Sequence, residues 1–479
     1  MPAYLLEIVV IVAGLLLLMI EAFVGRLDSR TIGYASLVVL AVVFGALFFV
    51  DKPAGGYWGF YATDASAFFY KGLAVLCTLV VTIMSLEYAP VLDSYRDGAP
   101  GKRGLGEFLC LPLFICAGLM WMASMTDLIG IFVTLELVTI TFYVMVAYMR
   151  RNAGSLEAGA KYLILGALST GFLVYGIAWL FGMTGHTSLA GIKDALQFGS
   201  AEKTPLLFGI ALILVGMAFK VGAAPFQFWI PDVYQGAPTP VTAFLSVGSK
   251  SAGFIVLVRI LDPLLVSALR QPVLTALAVM AGATLVVGNL AAMAQSNFKR
   301  LLAYSSISHA GFLLLALAAG QPFSGLSPAT VVAFYLATYL AMTLLSFLIL
   351  SVVRKHGGTD ELSAFDGLGK RSPLLAFALL VSAASLAGVP LTAGFFGKFF
   401  VITLAAGAHQ WALLVLAIIG AAAGFYYYFK VVRSMYWNDP PFNAPVINSS
   451  RLTRAAVSVL AAAVLVFGVF PRPLFGWLN

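Results

Sequence analysis

Charge is scarce in this chain. Only 10% of its 479 residues are Asp, Glu, Lys or Arg, against 61% hydrophobic. A soluble globular domain carries about 25% charge, so a water-soluble fold is excluded. Cysteine and histidine are scarcer still, at three and four. Cys77, Cys110 and Cys116 lie in or beside apolar runs without CxxC or cluster spacing, and His186, His309, His356 and His409 are scattered. That excludes recognisable haem, zinc or iron–sulfur ligation. There is no Walker lysine motif and no GxGxxG after a strand. No cofactor or metal is therefore expected on this chain. The formal net charge of +8 falls in short dibasic loops rather than on one patch, which argues against nucleic acid. The N-terminus lacks the basic n-region and cleavage site of a signal peptide, so 4–24 reads as a retained first helix.

What remains is apolar sequence. A bilayer-spanning helix needs about 20 apolar residues. Such runs lie at 4–24, 32–50, 65–88, 107–125, 127–149, 157–182, 205–235, 239–261, 272–293, 300–319, 327–352, 373–406, 410–436 and 453–470, fourteen in all. The polar stretches 89–106, 183–204 and 354–372 read as loops or surface helices. Alternate loops are basic: Arg26 and Arg30; Arg96, Lys102 and Arg103; Arg150 and Arg151; Lys299 and Arg300; Arg354, Lys355, Lys370 and Arg371; Lys430, Arg433, Arg451 and Arg454. Only the short loop 236–238 on that side has no charge. By the positive-inside bias these loops are cytoplasmic and both termini are outside.

A few charges lie inside the spans, where they are costly and usually functional. At 1.5 Å per residue, Glu136 in the fifth span and Lys250 in the eighth are roughly 14 and 16 Å deep, near the midplane. Lys220 lies in the seventh span, in "GMAFKVGAAPFQFWIPDVYQGAPTP", just before Gly222, Pro225 and Pro231 interrupt it. Lys398 follows a second interruption, "SLAGVPLTAGFFGKFF", with Gly388, Pro390, Gly394 and Gly397 in the twelfth span. A buried lysine survives by pairing with a carboxylate or by losing its proton. A lysine whose partner can approach or leave is thus a switchable proton relay, and Glu136 is the expected partner of Lys220. Lys250 would take the proton next and Lys398 pass it on.

Several weaker candidates keep a structural alternative. Lys71 in the third span is a proton-path residue or a snorkelling or locally paired one. Glu157 and Lys161 form a helix-stabilising i, i+4 pair. Asp232 caps the next turn or admits protons. His309, in "YSSISHAGF", suits proton transfer with Ser305 and Ser306 as water partners, or is a satisfied core histidine.

Unwound backbone at membrane depth survives only where protein or a water-filled cavity satisfies it. Two interrupted helices in corresponding halves point to an inverted repeat with an ion path between them. The expected fold is an all-α polytopic membrane protein of fourteen transmembrane helices. Its seventh and twelfth helices are discontinuous, inside two inverted five-helix repeats, helices 4–8 and 9–13. The expected divisions are an N-terminal three-helix segment 1–105, repeats 106–262 and 263–437, and a C-terminal loop and helix 438–479. Sliding "KVGAAPFQF" onto "SLAGVPLTA" aligns Pro225 with Pro390 and sets Lys220 on Ser385.

The run "FKVGAAPFQFWIPDVYQGAPTPVTAFLSVGSK" resembles the antiporter-like, Mrp-related subunits of respiratory complex I (NADH-quinone oxidoreductase). "NFKRLLAYSSISHAGF" and "AGVPLTAGFFGKF" are similar to other parts of the same family. "PDVYQGAPTPV", the length near 480 and a lysine in the twelfth helix are more similar to its N branch than to L or M. The resemblance covers nearly the whole chain. It implies proton translocation along Glu136, Lys220, Lys250 and Lys398. NAD, FMN, iron–sulfur clusters and quinone would belong to partner subunits. The implied neighbours are the antiporter-like subunit M, small subunits such as K and J, and lipids, in a bacterial inner membrane. An Mrp-type cation/proton antiporter subunit and a non-pumping membrane scaffold remain the alternatives.

Overall fold

The computed structural model describes residues 1–24, 28–53, 55–95, 105–198, 202–440 and 446–478. Arg26, Arg96, Lys102 and Arg103 of the loop-charge pattern lie outside them. Regular structure among the described residues is helical, with only isolated β-bridges between loops.

The helices are α1 (Leu5–Phe23), α2 (Ser29–Ala46), α3 (Ala65–Ser94), α4 (Gly106–Ser124), α5 (Leu128–Val146), α6 (Ala153–Thr184), α7 (Leu189–Phe198), α8 (Lys203–Val221) and α9 (Trp229–Gly236). Then come α10 (Thr239–Phe244), α11 (Lys250–Leu265), α12 (Arg270–Met293), α13 (Phe298–Ala318), α14 (Pro328–Gly357) and α15 (Leu368–Arg371). The last are α16 (Pro373–Ala387), α17 (Ala393–Gly407), α18 (Trp411–Tyr436), α19 (Arg451–Val469) and α20 (Arg472–Leu478). Their starts follow from the sequence. Asp28, Asp64, Asp127, Asn152, Asn297, Ser327 and Ser450 each accept a first-turn N–H with the side chain, which satisfies a donor the helix itself cannot.

Among the described residues, thirteen helices are long and apolar enough to cross a membrane, while α16 and α17 are shorter apolar helices. α3, α10, α11, α13 and α14 are buried along nearly their whole length. Helices around them turn apolar side chains outward, such as Val42, Leu168, Val279, Ile419 and Val459. A helix that is apolar all round belongs in the middle of such a bundle.

Contacts between loops define two ends. At the N-terminal face, Met1 pairs with Asp51 and Lys193 with Asp262, while Arg270 reaches the Gly320 carbonyl. At the opposite face, Lys161 and Arg300 meet Asp232, Lys355 meets Glu87, and Lys370 meets Asp439. Lys161, Arg300, Lys355 and Lys370 thus share this second face, whereas Lys193 and Arg270 lie at the first.

The interruptions fall at Gly222–Pro225 and Gly388–Pro390 and share one cap, whereas Pro231 lies in the first turn of α9 and Gly394 and Gly397 lie inside α17, so these three interrupt nothing. Gly222 (φ 77°) and Gly388 (φ 94°) take the left-handed conformation that glycine adopts without penalty. The next residue then donates back five positions, Ala223 to Ala218 at 2.8 Å and Val389 to Ala384 at 2.9 Å, the bond of a Schellman stop. Overlaying these caps pairs Gly222 with Gly388, one residue away from the register that pairs the prolines. In that overlay Lys220 falls on Leu386, whereas pairing the prolines sets it on Ser385. Proline marked the interruption, but the glycine cap fixes the register. The eighth span also departs from a plain helix, because Leu245–Ser249 forms a π-helical turn immediately before Lys250.

Candidate functional site

Two of the three axis lysines, Lys220 and Lys250, sit where a helix stops or changes pitch, and the third, Lys398, reaches across to a helix end. Lys220 is the penultimate residue of α8, buried, and its Nζ donates to Thr139 Oγ1 of α5. Glu136 lies one turn from Thr139 on α5 and accepts from Thr170 Oγ1 at 2.9 Å. The expected contact of Lys220 with Glu136 is thus replaced by one with Thr139, one turn further along α5. Thr139 has room to do this because its own proton goes to the Leu135 carbonyl at 2.7 Å.

Lys250 follows the π turn, a distortion often kept at functional positions. Its Nζ donates to the carbonyl and the hydroxyl of Ser306, each at 2.5 Å, and lies 5.7 Å from the ring centre of Tyr339. α11 touches α8 beside it: a Cβ on Gly253 would meet Val221 at 3.1 Å and Lys220 Cβ at 3.9 Å.

His309, one turn past Ser305 and Ser306 on α13, is 2% exposed. Nδ1 is 2.7 Å from Tyr335 Oη and Nε2 is 3.5 Å from Tyr428 Oη, which also bonds Ser305. Its ring also packs against Tyr339, 5.0 Å between ring centres, the tyrosine that lies under Lys250 Nζ. It is a buried histidine hydrogen-bonded on both ring nitrogens.

Lys398 of α17 reaches across its break. Nζ donates to the carbonyls of Leu386 at 2.9 Å and Ala387 at 2.7 Å. Those are last-turn carbonyls of α16, which lack helical partners and carry the negative end of the helix dipole. In the first break Trp229 Nε1 donates to the Phe219 carbonyl at 3.0 Å, which also accepts from Gly222 N at 3.2 Å. Thr284 of α12 accepts the freed Ala224 N–H at 2.9 Å.

Asp232 caps nothing, since α10 begins after Pro238 without a side-chain cap. It is partly exposed and bonds Lys161 and Arg300, each at 2.8 Å. It lines a polar basin of about 460 Å³ with Gln235, Asn297, Lys299, Arg354 and Asp360. Glu157 and Lys161 form the expected surface pair at 2.8 Å. Lys71 stands apart from the lysine series. It is fully buried against Glu7 at 2.9 Å, a carboxylate the sequence reading passed over. Thr139, Tyr335, Tyr339 and Tyr428 were also missed. Their only signal is hydroxyl groups inside apolar helices. No group of His, Cys, Asp and Glu among the described residues could hold a metal ion.

Buried lysines beside interrupted helices are the arrangement expected of a membrane transport bundle. Residues 125–424 match the family described as "NADH:quinone oxidoreductase/Mrp antiporter, TM". The chain is 36% identical to NADH-quinone oxidoreductase subunit N 2 of Chloroherpeton thalassium, covering 97% of this chain and 91% of that one. A chain of respiratory complex I from Thermus thermophilus with bound aureothin is similar at 34% identity, with 99% of each chain covered and a TM-score of 0.81. A chain of an archaeal respiratory membrane complex, the membrane-bound sulfane sulfur reductase, is similar at 25% identity. That match covers 99% of this chain and 95% of the other, with a TM-score of 0.84. The chain belongs to the NADH:quinone oxidoreductase/Mrp antiporter family and is a multi-pass membrane protein.

Proposed function

We infer that this chain is a proton-translocating membrane-arm subunit of an NADH:quinone oxidoreductase, of the subunit N type. The observation that carries the reading is near-full-length similarity to curated subunit N proteins in a chain that buries Lys220, Lys250 and Lys398. Moving one proton outward against 150 mV costs roughly 3.5 kcal/mol. Redox chemistry in partner subunits supplies that energy, with NAD, FMN, iron–sulfur clusters and quinone bound there and no redox site on this chain.

The relay runs from Glu136 and Lys220 through Lys250, Ser306 and His309 to Lys398. Each lysine keeps neutral oxygen partners rather than a fixed carboxylate, so its proton can leave without stranding a paired charge. Asp232 and its basin form the inlet. Counting α8 with α9, and α16 with α17, as single interrupted crossings gives fourteen transmembrane helices. The shared glycine cap supports inverted repeats at 106–262 and 263–437, between an N-terminal segment 1–105 and a C-terminal segment 438–479. The basic face is cytoplasmic and both termini are periplasmic, in a bacterial inner membrane, with subunits M, K and J as neighbours.

The likeness to the sulfane sulfur reductase chain favours one second reading, the same membrane module fed by another electron donor. Mild-detergent purification of the tagged chain from its native membrane separates them. Co-purifying flavin, iron–sulfur subunits and NADH:quinone reductase activity support the first reading. A complex lacking that activity supports the second, and a lone chain contradicts both.

A further inference from the structure

Glu7, Tyr61 and Lys71 form a charged cluster that the lysine axis does not use. Both ionised side chains have no exposed surface. Tyr61 joins them, accepting from Lys71 Nζ at 2.5 Å and donating to Glu7 Oε1 at 2.9 Å. The other carboxylate oxygen, Glu7 Oε2, is buried with no partner, as is Ser124 Oγ. A pair that served only as a fastener would be expected to satisfy both oxygens, because an unmatched buried acceptor is costly. Tyr61 also lines a cavity of about 350 Å³ at the N-terminal face, with Lys52, Thr63, Asp64 and Thr126. Tyr61 is therefore the triad's solvent side, and Glu7 and Lys71 lie behind it.

The triad also has an inner side. Lys71, Thr78, Thr82 and Ser85 follow one another on α3 at helical spacing, so they share one face. All four are fully buried. Thr78, Thr82 and Ser85 give their protons to the carbonyls of Ala74, Thr78 and Val81 at 2.7–2.8 Å, leaving oxygen lone pairs open along the stripe. From Lys71 to Ser85 it runs roughly 21 Å. Tyr88, a turn further on, lines the polar basin at the opposite face.

We propose that α3 carries a second proton track, separate from the axis of Glu136, Lys220, Lys250 and Lys398, with the Glu7–Tyr61–Lys71 triad as its proton-bearing gate. One proton moving from Lys71 Nζ to Tyr61 Oη, as the phenolic proton moves to Glu7 Oε1, turns ammonium, phenol and carboxylate into amine, phenol and carboxylic acid. Net charge is unchanged and no co-reactant is required. Glu7 then returns the proton through Tyr61, the member of the triad that borders the cavity, and Lys71 takes another from water along the stripe. The hydroxyls are one or two turns apart, so water carries the proton between them.

The inference rests on the reading of the chain as a proton-translocating subunit. Its test uses the purified complex in proteoliposomes, with protons taken up per electron transferred as the readout. E7Q, K71M and T82V are expected to lower that ratio, and E7D to restore part of it. The wild-type complex should show a carboxylic-acid infrared band on turnover that shifts in E7D and vanishes in E7Q. Unchanged ratios in all assembled variants would overturn the track. If E7Q and K71M do not assemble, T82V, which removes one hydroxyl at constant shape, decides alone. A complex without reductase activity or proton uptake in the wild type would instead sink the function itself.

Discussion

Thr139→Val tests the contact that the structure substitutes for the expected ion pair. Thr139 Oγ1 is the group that Lys220 Nζ touches, and valine keeps the shape while removing the acceptor. A hydrogen bond to a charged group is worth about 1.5–3 kcal/mol. At 1.36 kcal/mol per decade, the population of the docked ammonium falls about 10- to 150-fold. Where loading of Lys220 limits transport, proton uptake slows by one to two decades. Thr139→Ser retains the acceptor and should stay near the wild-type rate, whereas Lys220→Met should abolish transfer. The assay is dye-reported proton uptake by the complex in proteoliposomes driven by NADH and quinone. A T139V complex pumping at the wild-type rate, with K220M inactive, would refute the reasoning. Lys220 would then act through Glu136 alone.

Three other outcomes follow from local geometry. Gly222→Ala places a Cβ at φ 77° and 2.2 Å from Ile230 Cδ1, so the midpoint of thermal unfolding should fall by the equivalent of about 1–2 kcal/mol. Glu87→Gln weakens the anchor between α3 and α19, where the buried carboxylate accepts from Lys355 at 2.7 Å, Ser450 N at 3.1 Å and Thr453 Oγ1 at 2.7 Å. Breaking such a buried pair costs about 3 kcal/mol, and hydrogen exchange should rise along Arg451–Val469. Asp232→Asn loses two partly exposed ion pairs, worth about 0–1 kcal/mol each. Its melting temperature should barely move while proton uptake falls, and unchanged uptake would remove Asp232 from the inlet.

The spans were legible because twenty apolar residues have few other uses, and the interruptions because glycine and proline act locally. Lys220, Lys250 and Lys398 were legible for the same reason: a charge inside an apolar run is conspicuous. Their partners were not. Thr139 looks like any membrane threonine bonded to the carbonyl four residues back, and it does make that bond. Glu7 lies in the first turn of α1, where an acidic residue is ordinary, and only the fold brings it to Lys71. The π turn before Lys250 contains Gly248 but no proline, and a single glycine inside an apolar helix does not announce a change of pitch. Lys398 could be seen to follow a break, but not that it would reach back to the carbonyls of the preceding half-helix. Local chemistry thus marked where charge is buried, and tertiary packing decided what each charge touches.

The central claim is that the buried lysines of this chain carry protons when partner subunits oxidise NADH. Lys250 tests it most directly, because Ser306 alone holds its ammonium among the described hydrogen bonds. The decisive measurement is the number of protons taken up per NADH oxidised by the purified complex in proteoliposomes, wild type against Lys250→Met. The account predicts an intact complex whose proton uptake through this subunit is lost. An assembled Lys250→Met complex with the wild-type ratio would contradict it and leave the chain a scaffold.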